Sequence, residues 1–274
     1  MNEIVKIRPI LRWAGGKNWL VKHLNSVLAT SYNNYHEPFL GGAAIFLSLN
    51  PSKEAFLSDL NKELIETYIE VKEHPDQIIE ILKSYKNDEE FYYRIRESII
   101  YDKVELAAKF IYLNQTSFNG IYRVNLKGEY NVPFGYRTKN FLEPENLIQV
   151  SSRLKNSTLF HGDFDECVIN IKKKDLVFLD PPYTVSHNNN GFIKYNQKIF
   201  SLDDQIRLSY LIDKIKSKGA YYILTNAAHK TIIEIFEKGD TLVELKRASL
   251  IGGTKAKRGQ TTEYLFTNVK NSIL

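Results

Sequence analysis

The sequence predicts an α/β fold whose parallel sheet is interrupted by a mainly helical insertion. Three observations predict it. Short apolar runs end at acidic or polar residues, as buried parallel strands do: Glu54–Leu57 before Asp59, Leu176–Leu179 before Asp180, and Ala220–Leu224 before Asn226. Apolar residues spaced three and four apart lie between such runs, in Ile78–Leu82 and in the set Leu208, Leu211, Ile212 and Ile215. From residue 62 to 155 the strand pattern gives way to helical spacing and one polar, aromatic loop. Residues 1–61 and 156–274 are therefore expected to form two parts of one α/β domain, with 62–155 inserted.

Along the chain, Ile45–Leu49 is apolar but too short to assign by itself. Ile78–Leu82 reads as a helical face within the insertion. Thr158-Leu159-Phe160 reads as a strand ahead of Asp163. Ser201 with Asp204 three residues on has the spacing of a capped start for the helix that carries Leu208 to Ile215. Glu263-Tyr264-Leu265-Phe266 belongs to the closing strands. Charge is segmented too. Lys62 to Glu105 carries 7 basic and 12 acidic residues, and Lys109 to Lys139 carries 5 basic and 1 acidic. A second basic stretch holds Lys246, Arg247, Lys255, Lys257 and Arg258 with no acid among them. On charge alone, each basic run reads as a solvated face.

Composition narrows the class. The chain has 274 residues, enough to bury a core without disulfide or metal staples. Hydrophobic residues make up 43% and charged residues 25%, which excludes disorder as the main theme. Lys and Arg number 37 against 32 Asp and Glu, a net +5 that suits a polyanionic partner without requiring one. The single cysteine, Cys167, excludes an internal disulfide framework and a cysteine-rich zinc cluster, and no metal is expected. No apolar run reaches the roughly 18 residues of a membrane helix, and Met1 to Trp13 has no continuous apolar stretch. A cytoplasmic protein with no membrane partner is the expectation.

Ligands of open parallel sheets bind beyond the carboxyl ends of the strands. Asp59, Asp180 and Asn226 stand at such ends. An aspartate after a strand is commonly a turn former or a helix cap. Asp180-Pro181-Pro182-Tyr183 departs from that reading. Its two prolines fix an extended course and remove two backbone donors. A carboxylate, bare carbonyls and an aromatic plate remain, a set that can accept hydrogen bonds from a flat amine and stack on its ring. Gly41-Gly42 suits either a close approach of backbone to a nucleoside or an ordinary strand-to-helix turn. With Ala43 it does not make a dinucleotide fingerprint. Asp59 falls 17 residues past Gly42 at the next strand end, where an acid commonly binds a ribose hydroxyl pair.

Six segments, taken in order, carry a resemblance. They are Arg12-Trp13-Ala14-Gly15-Gly16-Lys17, Glu37-Pro38-Phe39-Leu40-Gly41-Gly42-Ala43, Leu57-Ser58-Asp59-Leu60-Asn61, Phe118-Asn119-Gly120-Ile121-Tyr122-Arg123-Val124-Asn125, Asn131-Val132-Pro133-Phe134-Gly135, and Asp180-Pro181-Pro182-Tyr183. Together they resemble the alpha group of the amino-methylating DNA methyltransferases, in particular the Dam and DpnII-type adenine-N6 enzymes. One position departs, since Ala43 stands where that family usually has glycine and narrows the approach of a cofactor. The resemblance implies a Rossmann-like, S-adenosylmethionine-dependent methyltransferase sheet with an inserted, mainly helical DNA-recognition domain. It implies S-adenosylmethionine as cofactor, double-stranded DNA as partner and an adenine in GATC as target. A separately encoded cognate restriction endonuclease stays open as a further partner.

The same resemblance implies roles. Trp13, Lys17, Phe39, Gly41, Gly42, Asp59, Asp163, Phe164 and Asp180 would bind the cofactor, with Lys17 facing its carboxylate and Asp163-Phe164 its adenine. Asp180 and the carbonyl of Pro181 would accept the hydrogens of the target amine, Pro182 would hold the course, and Tyr183 would stack on the base. Asn119, Gly120, Tyr122, Arg123, Asn125, Lys127, Pro133, Arg137 and Lys139 would contact DNA. Arg123 suits a bidentate pair with guanine, and the lysines suit phosphates. Arg247, Lys255, Lys257 and Arg258 would form a second, flexible DNA-binding loop, and residues 184–199 a lid. Ordinary readings stand beside these: a surface Lys17, a packing Trp13, a core Phe164 and an exposed polar hairpin without function.

Two rival functions use the same residues. An RNA or protein amine methyltransferase could share the acceptor pocket but leaves Phe118–Gly135 unexplained. A non-catalytic DNA-binding module has no need of Trp13, Lys17, Asp59 and Asp180 as a set. Cys167 reads as structural and not as the activated nucleophile that cytosine-C5 methylation requires.

Overall fold

The computed structural model describes residues 7–17, 19–21, 23–24, 31–125, 127–183, 200–248 and 260–269. The first elements are β1 (Tyr35–Glu37), α1 (Ala44–Leu49) and β2 (Ala55–Asp59). Helices α2 (Lys62–Glu73), α3 (Pro75–Ser84), α4 (Glu89–Glu97) and α5 (Lys103–Thr116) follow, then a 3-10 turn at Phe118–Gly120 and α6 (Pro144–Leu154). The chain continues through β3 (Ser157–His161), a 3-10 turn at Phe164–Ile169, β4 (Leu176–Leu179), α7 (Leu202–Ser217), β5 (Tyr221–Ala227), α8 (Lys230–Phe236), β6 (Thr241–Ala248) and β7 (Gln260–Thr267). The strands form one sheet in the order β3-β2-β1-β4-β5-β7-β6. Strands β1, β4 and β5 are parallel, with Tyr35 opposite Leu176 and Leu179 opposite Leu224. Strand β7 runs antiparallel to both β5 and β6. This is the expected α/β architecture with its helical stretch. Strand β5 continues past Leu224 to Ala227, because Thr225 and Asn226 are buried along with their apolar neighbours.

The chain divides into two compact units. One comprises Met1–Asn18, Leu40–Ser52 and Leu57–Gly162, and the other Trp19–Phe39, Lys53–Phe56 and Asp163–Leu274. The expected insertion, 62–155, lies wholly within the first. There α2 packs on α5 and α6. The helices begin where local chemistry starts them: Asn61, Asp88 and Asp102 accept from Leu64, Phe91 and Glu105 backbone N–H, and Pro75 and Pro144 open their helices. In the second unit, α7 buries Leu208, Leu211, Ile212 and Ile215 with Val177, Leu179, Tyr222 and Leu224 of the sheet. Its start is the expected capping box: Asp204 N–H donates to Ser201 Oγ (3.1 Å) and Ser201 N–H to Asp204 Oδ2 (2.9 Å). Cys167 is buried in this core, and burial pushes its thiol up to about 12, as suits a structural residue. Among the described residues no helix is long and apolar enough to cross a membrane.

One buried polar pair ties β1 to the approach to β4. His36 Nε2 lies 2.9 Å from Asp175 Oδ2, and both side chains are fully buried. Asp175 also accepts from the backbone N–H of Asn34 (3.0 Å) and Lys172 (2.9 Å). A carboxylate only accepts, so Nε2 carries the hydrogen. Nδ1 is buried without a partner, and protonating it would bury an unpaired donor. Burial accordingly holds this imidazole below its ordinary value. The unfolded chain therefore takes up the proton at a higher pH than the folded one, and stability is lost as pH falls below about 6.5. His36→Gln keeps a donor toward Asp175 but cannot titrate. Melting temperatures followed from neutral to mildly acidic pH should show a shallower decline for His36→Gln than for the wild type.

Candidate active site

In the first unit the chain segments singled out from sequence converge on one turn. Leu40 N–H donates to Ser58 O (3.0 Å), which docks the turn on β2. Gly41 N–H donates to Asp59 Oδ2 (2.9 Å), and Asn61 N–H donates to Asp59 Oδ1 (2.9 Å). Burial raises the pKa of Asp59, opposed by the N–H groups of Asn61, Gly41 and Leu60 that favour the charged form. Gly41 adopts φ +47°, and a Cβ there would lie 2.8 Å from Trp13 Cδ1. Trp13 thus covers the turn, and its ring stacks on Tyr122 at 5.5 Å between centroids. Tyr122 Oη in turn donates to Glu63 (2.8 Å). Ala43 also takes a left-handed conformation, φ +56°, at the position where the resembled family has glycine. An L-residue adopts it at a cost of about 1–2 kcal/mol. Lys17 is buried, not a surface lysine, and its Nζ donates to Gly15 O (3.1 Å).

The polar, aromatic loop of this unit is a braced hairpin. Phe118 N–H bonds Pro133 O (2.9 Å) and Gly135 N–H bonds Thr116 O (2.8 Å), so the two expected recognition segments lie side by side. Asn119 and Gly120 both have positive φ, and a Cβ on Gly120 would strike the Arg12 guanidinium at 2.5 Å. Arg12, which opens the first resembling segment without a role assigned to it there, has its pKa lowered by burial and by the nearby charge of Arg137. Arg123 is exposed, with Nε on Asn131 Oδ1 (2.7 Å) and Nη2 on Asn131 O (3.1 Å). Asn125 is used inside the hairpin: its Oδ1 accepts from Lys127 and Glu129 N–H, and its amide donates to Glu129. Lys127 is exposed, and Lys139 pairs with Glu143 at 3.0 Å.

The second unit holds an aromatic group and the acceptor motif. Phe39 stacks on Phe164 at 5.4 Å, and both rings meet Phe200. Asp163 caps the turn that follows β3, accepting from Asp165 N–H (3.0 Å) and from Arg207 Nη2 (2.7 Å). Arg207 also bonds Asp165 and Asp204, and its guanidinium lies 4.7 Å over the Phe164 ring. Asp163, expected to contact a ligand, is thus joined through Arg207 to the face of Phe164. At the end of β4, Thr225 Oγ1 donates to Asp180 Oδ1 (2.7 Å) and Tyr183 Oη donates to Glu263 Oε2 (2.7 Å). Burial raises the Tyr183 phenol well above its ordinary value, with Asp180 and Glu263 adding to the effect. Asn226 is fully buried and donates to Gln205 Oε1 (3.0 Å), which joins β5 to α7. Arg247 sits on β6 opposite Thr261, whereas Lys255, Lys257, Arg258 and the segment 184–199 lie outside the described residues.

The glycine turn with an acid at the following strand end, and the Asp-Pro-Pro-Tyr at the end of a parallel strand, both lie where the resemblance implies them. The chain belongs to the D12 class N6 adenine-specific DNA methyltransferases, whose family model matches residues 13–250. It is similar to the type II methyltransferase M1.LlaDCHI of Lactococcus lactis subsp. cremoris, at 34% identity over 97% of each chain. It is also similar to the type II methyltransferase M.MjaIII of Methanocaldococcus jannaschii, at 33% identity over 93% of this chain and 97% of the relative. The DNA adenine methylase of Escherichia coli K12 is 29% identical over 92% of this chain and 93% of its own. A solved precorrin-6y C5,15-methyltransferase from Geobacter metallireducens aligns over 91% of this chain and 85% of its own at TM-score 0.40 and 11% identity, a likeness too weak to bear on function.

The close seat of Trp13 on Gly41 is testable. Gly41→Ala must both hold an L-residue at positive φ and push back the indole, so it should cost about 1–3 kcal/mol of stability. Equilibrium unfolding in urea measures this directly, and an unchanged midpoint would mean that the indole yields without cost.

Proposed function

We propose that this adenine-specific DNA methyltransferase transfers the methyl group of S-adenosylmethionine to N6 of an adenine flipped out of duplex DNA, with GATC as its target. The observation that carries the reading is the Asp180-Pro181-Pro182-Tyr183 end of β4, with its carboxylate held by Thr225 and its aromatic plate by Glu263. The cofactor fits the residues present. Gly41 and Gly42 offer backbone with no Cβ, Asp59 offers a carboxylate suited to ribose hydroxyls, and buried Lys17 offers an ammonium suited to the amino-acid carboxylate. Phe39 and Phe164 offer flat apolar surface suited to adenine, with Asp163 and Arg207 setting the ring of Phe164. When bound, the cofactor supplies an electrophilic methyl group on a sulfonium.

The chain's own residues do the rest. The N6 lone pair of adenine is delocalised into the ring and is a poor nucleophile. Asp180 and the carbonyl of Pro181 accept the two amine hydrogens and so turn the lone pair toward the methyl carbon. The bound cofactor would supply the methyl carbon and leave as a neutral thioether, and Asp180 would hold the proton the nitrogen must release. Tyr183 stacks on the base. Orientation and electrostatics account for the acceleration, with no covalent enzyme intermediate. An amine inside a duplex is out of reach, which is why the base is flipped. Residues 62–155 serve as the recognition domain. Arg123, oriented by Asn131, reads a guanine edge. Asn119, Gly120, Tyr122, Asn125 and Pro133 shape the hairpin, and Lys127, Arg137 and Lys139 meet the DNA, with Arg247, Lys255, Lys257 and Arg258 as a second basic contact. The type II names of two relatives favour a restriction-modification role, and a cytoplasmic location beside a separately encoded endonuclease belongs to the same proposal.

Base-resolved sequencing of unmodified plasmid after incubation with purified protein and S-adenosylmethionine tests the whole reading. Methylated adenines confined to GATC are expected. Methylated adenines at another motif would remove the target assignment alone, and none at all would point to an RNA or protein acceptor. Asp180→Ala should abolish transfer while cofactor binding by calorimetry survives; equal turnover would remove Asp180 from the chemistry. Arg123→Ala should cost about 1–3 kcal/mol of discrimination at one base pair, measured as the ratio of kcat/KM for cognate and singly altered duplexes.

A further inference from the structure

Asp180 and Tyr183 flank two residues without an N–H, so the backbone between them can donate no hydrogen bond to a neighbouring strand. Their side chains are anchored instead from two strands far along the chain. Thr225 on β5 donates to Asp180 Oδ1 at 2.7 Å, and Glu263 on β7 accepts from Tyr183 Oη at 2.7 Å. Thr225 pairs with Leu265 and Ala227 with Glu263 across the antiparallel ladder. Thr225 and Glu263 are therefore diagonal neighbours on one face of the sheet. Both are almost fully buried, at 1% and 2% exposure. A buried carboxylate is costly unless its hydrogen bonds are made, and Tyr183 makes one of them. The phenol stays protonated through the physiological range, so it remains a donor to Glu263.

We propose that Thr225 and Glu263 are positioning residues for methyl transfer: Thr225 sets the rotamer of Asp180, and Glu263 sets the plane of Tyr183 through its hydroxyl. The proposal rests on the reading of Asp180 and Tyr183 as the acceptor site. Neither residue touches the base. Thr225 acts through the direction in which the Asp180 carboxylate faces the amine, and Glu263 through the tilt of the ring on which the base stacks. Because both act on geometry within an already folded site, their loss should appear in the rate of transfer and not in the affinity for DNA or cofactor.

The test compares Thr225→Val, which keeps the shape and removes the hydroxyl, with Thr225→Ser, which keeps a donor. Single-turnover methylation of a cognate duplex should slow by roughly tenfold to a hundredfold for Thr225→Val and recover for Thr225→Ser, with both dissociation constants unchanged. For Glu263, a double-mutant cycle with Tyr183→Phe gives the readout. Glu263→Met should slow transfer and alter the fluorescence of 2-aminopurine at the target position. In the Tyr183→Phe background it should add nothing, since the hydroxyl it serves is gone. Wild-type rates in Thr225→Val, equal losses in Thr225→Val and Thr225→Ser, or an additive cost of Glu263→Met on Tyr183→Phe would each overturn the proposal. If Glu263→Met does not fold, the Thr225 pair decides. Asp180→Ala run in parallel separates the two levels: wild-type turnover there sinks the acceptor reading, whereas a dead Asp180→Ala beside a fully active Thr225→Val sinks only the positioning.

Discussion

Pro181 and Pro182 strip the chain of hydrogen-bond donors at the point where it leaves β4. Much of the second unit can be understood as a response to that constraint. A strand end without N–H groups cannot be fixed by extending the ladder, so side chains on the neighbouring strands have to hold it. Strand β5 continues three residues beyond its apolar run and brings Thr225 to Asp180. Strand β7 lies antiparallel between β5 and β6, which places Glu263 beside Ala227 and within reach of Tyr183. Had β7 paired at the far edge of the sheet, Glu263 would not meet the phenol. The sheet order is thus part of the chemistry of the motif.

The first unit meets a different constraint, the close approach of backbone to an aromatic ring. Gly41 and Ala43 both take left-handed conformations within three residues, and Trp13 closes against the turn. Asp59 spans the gap from β2 to this turn, with one oxygen on Gly41 and the other on Asn61. Burial raises the pKa of this carboxylate, while the backbone donors favour its charged form. Ala43 carries its strain where a glycine would relieve it. The turn is retained by its neighbours: Ala43 N–H bonds Leu40 O, and α1 begins at once.

What the sequence made legible was local in origin. Asp-Pro-Pro-Tyr, the capping pair Ser201 and Asp204, and the apolar strand of Leu176–Leu179 depend on residues a few positions apart, and each is found where expected. Groups joined across long separations left no such trace. Thr225 lies 45 residues from Asp180, Glu263 80 from Tyr183, and Asp175 139 from His36. No local pattern marks Arg207, whose partners Asp163 and Asp165 lie 44 and 42 residues away and whose guanidinium covers the face of Phe164. Asp163 illustrates the limit from the other side. Its side chain caps its own turn, which neighbouring residues make legible, and also holds an arginine 44 residues away, which they do not.

Thr225 and Glu263, which bond Asp180 and Tyr183, belong to the second unit, while the hairpin from Thr116 to Arg137 belongs to the first. The bonds from Thr225 to Asp180 and from Tyr183 to Glu263 do not run through the hairpin, so changes confined to the hairpin leave both bonds in place. Sequence drift in the hairpin and the side-chain bracing at the end of β4 then become separate traits under separate selection.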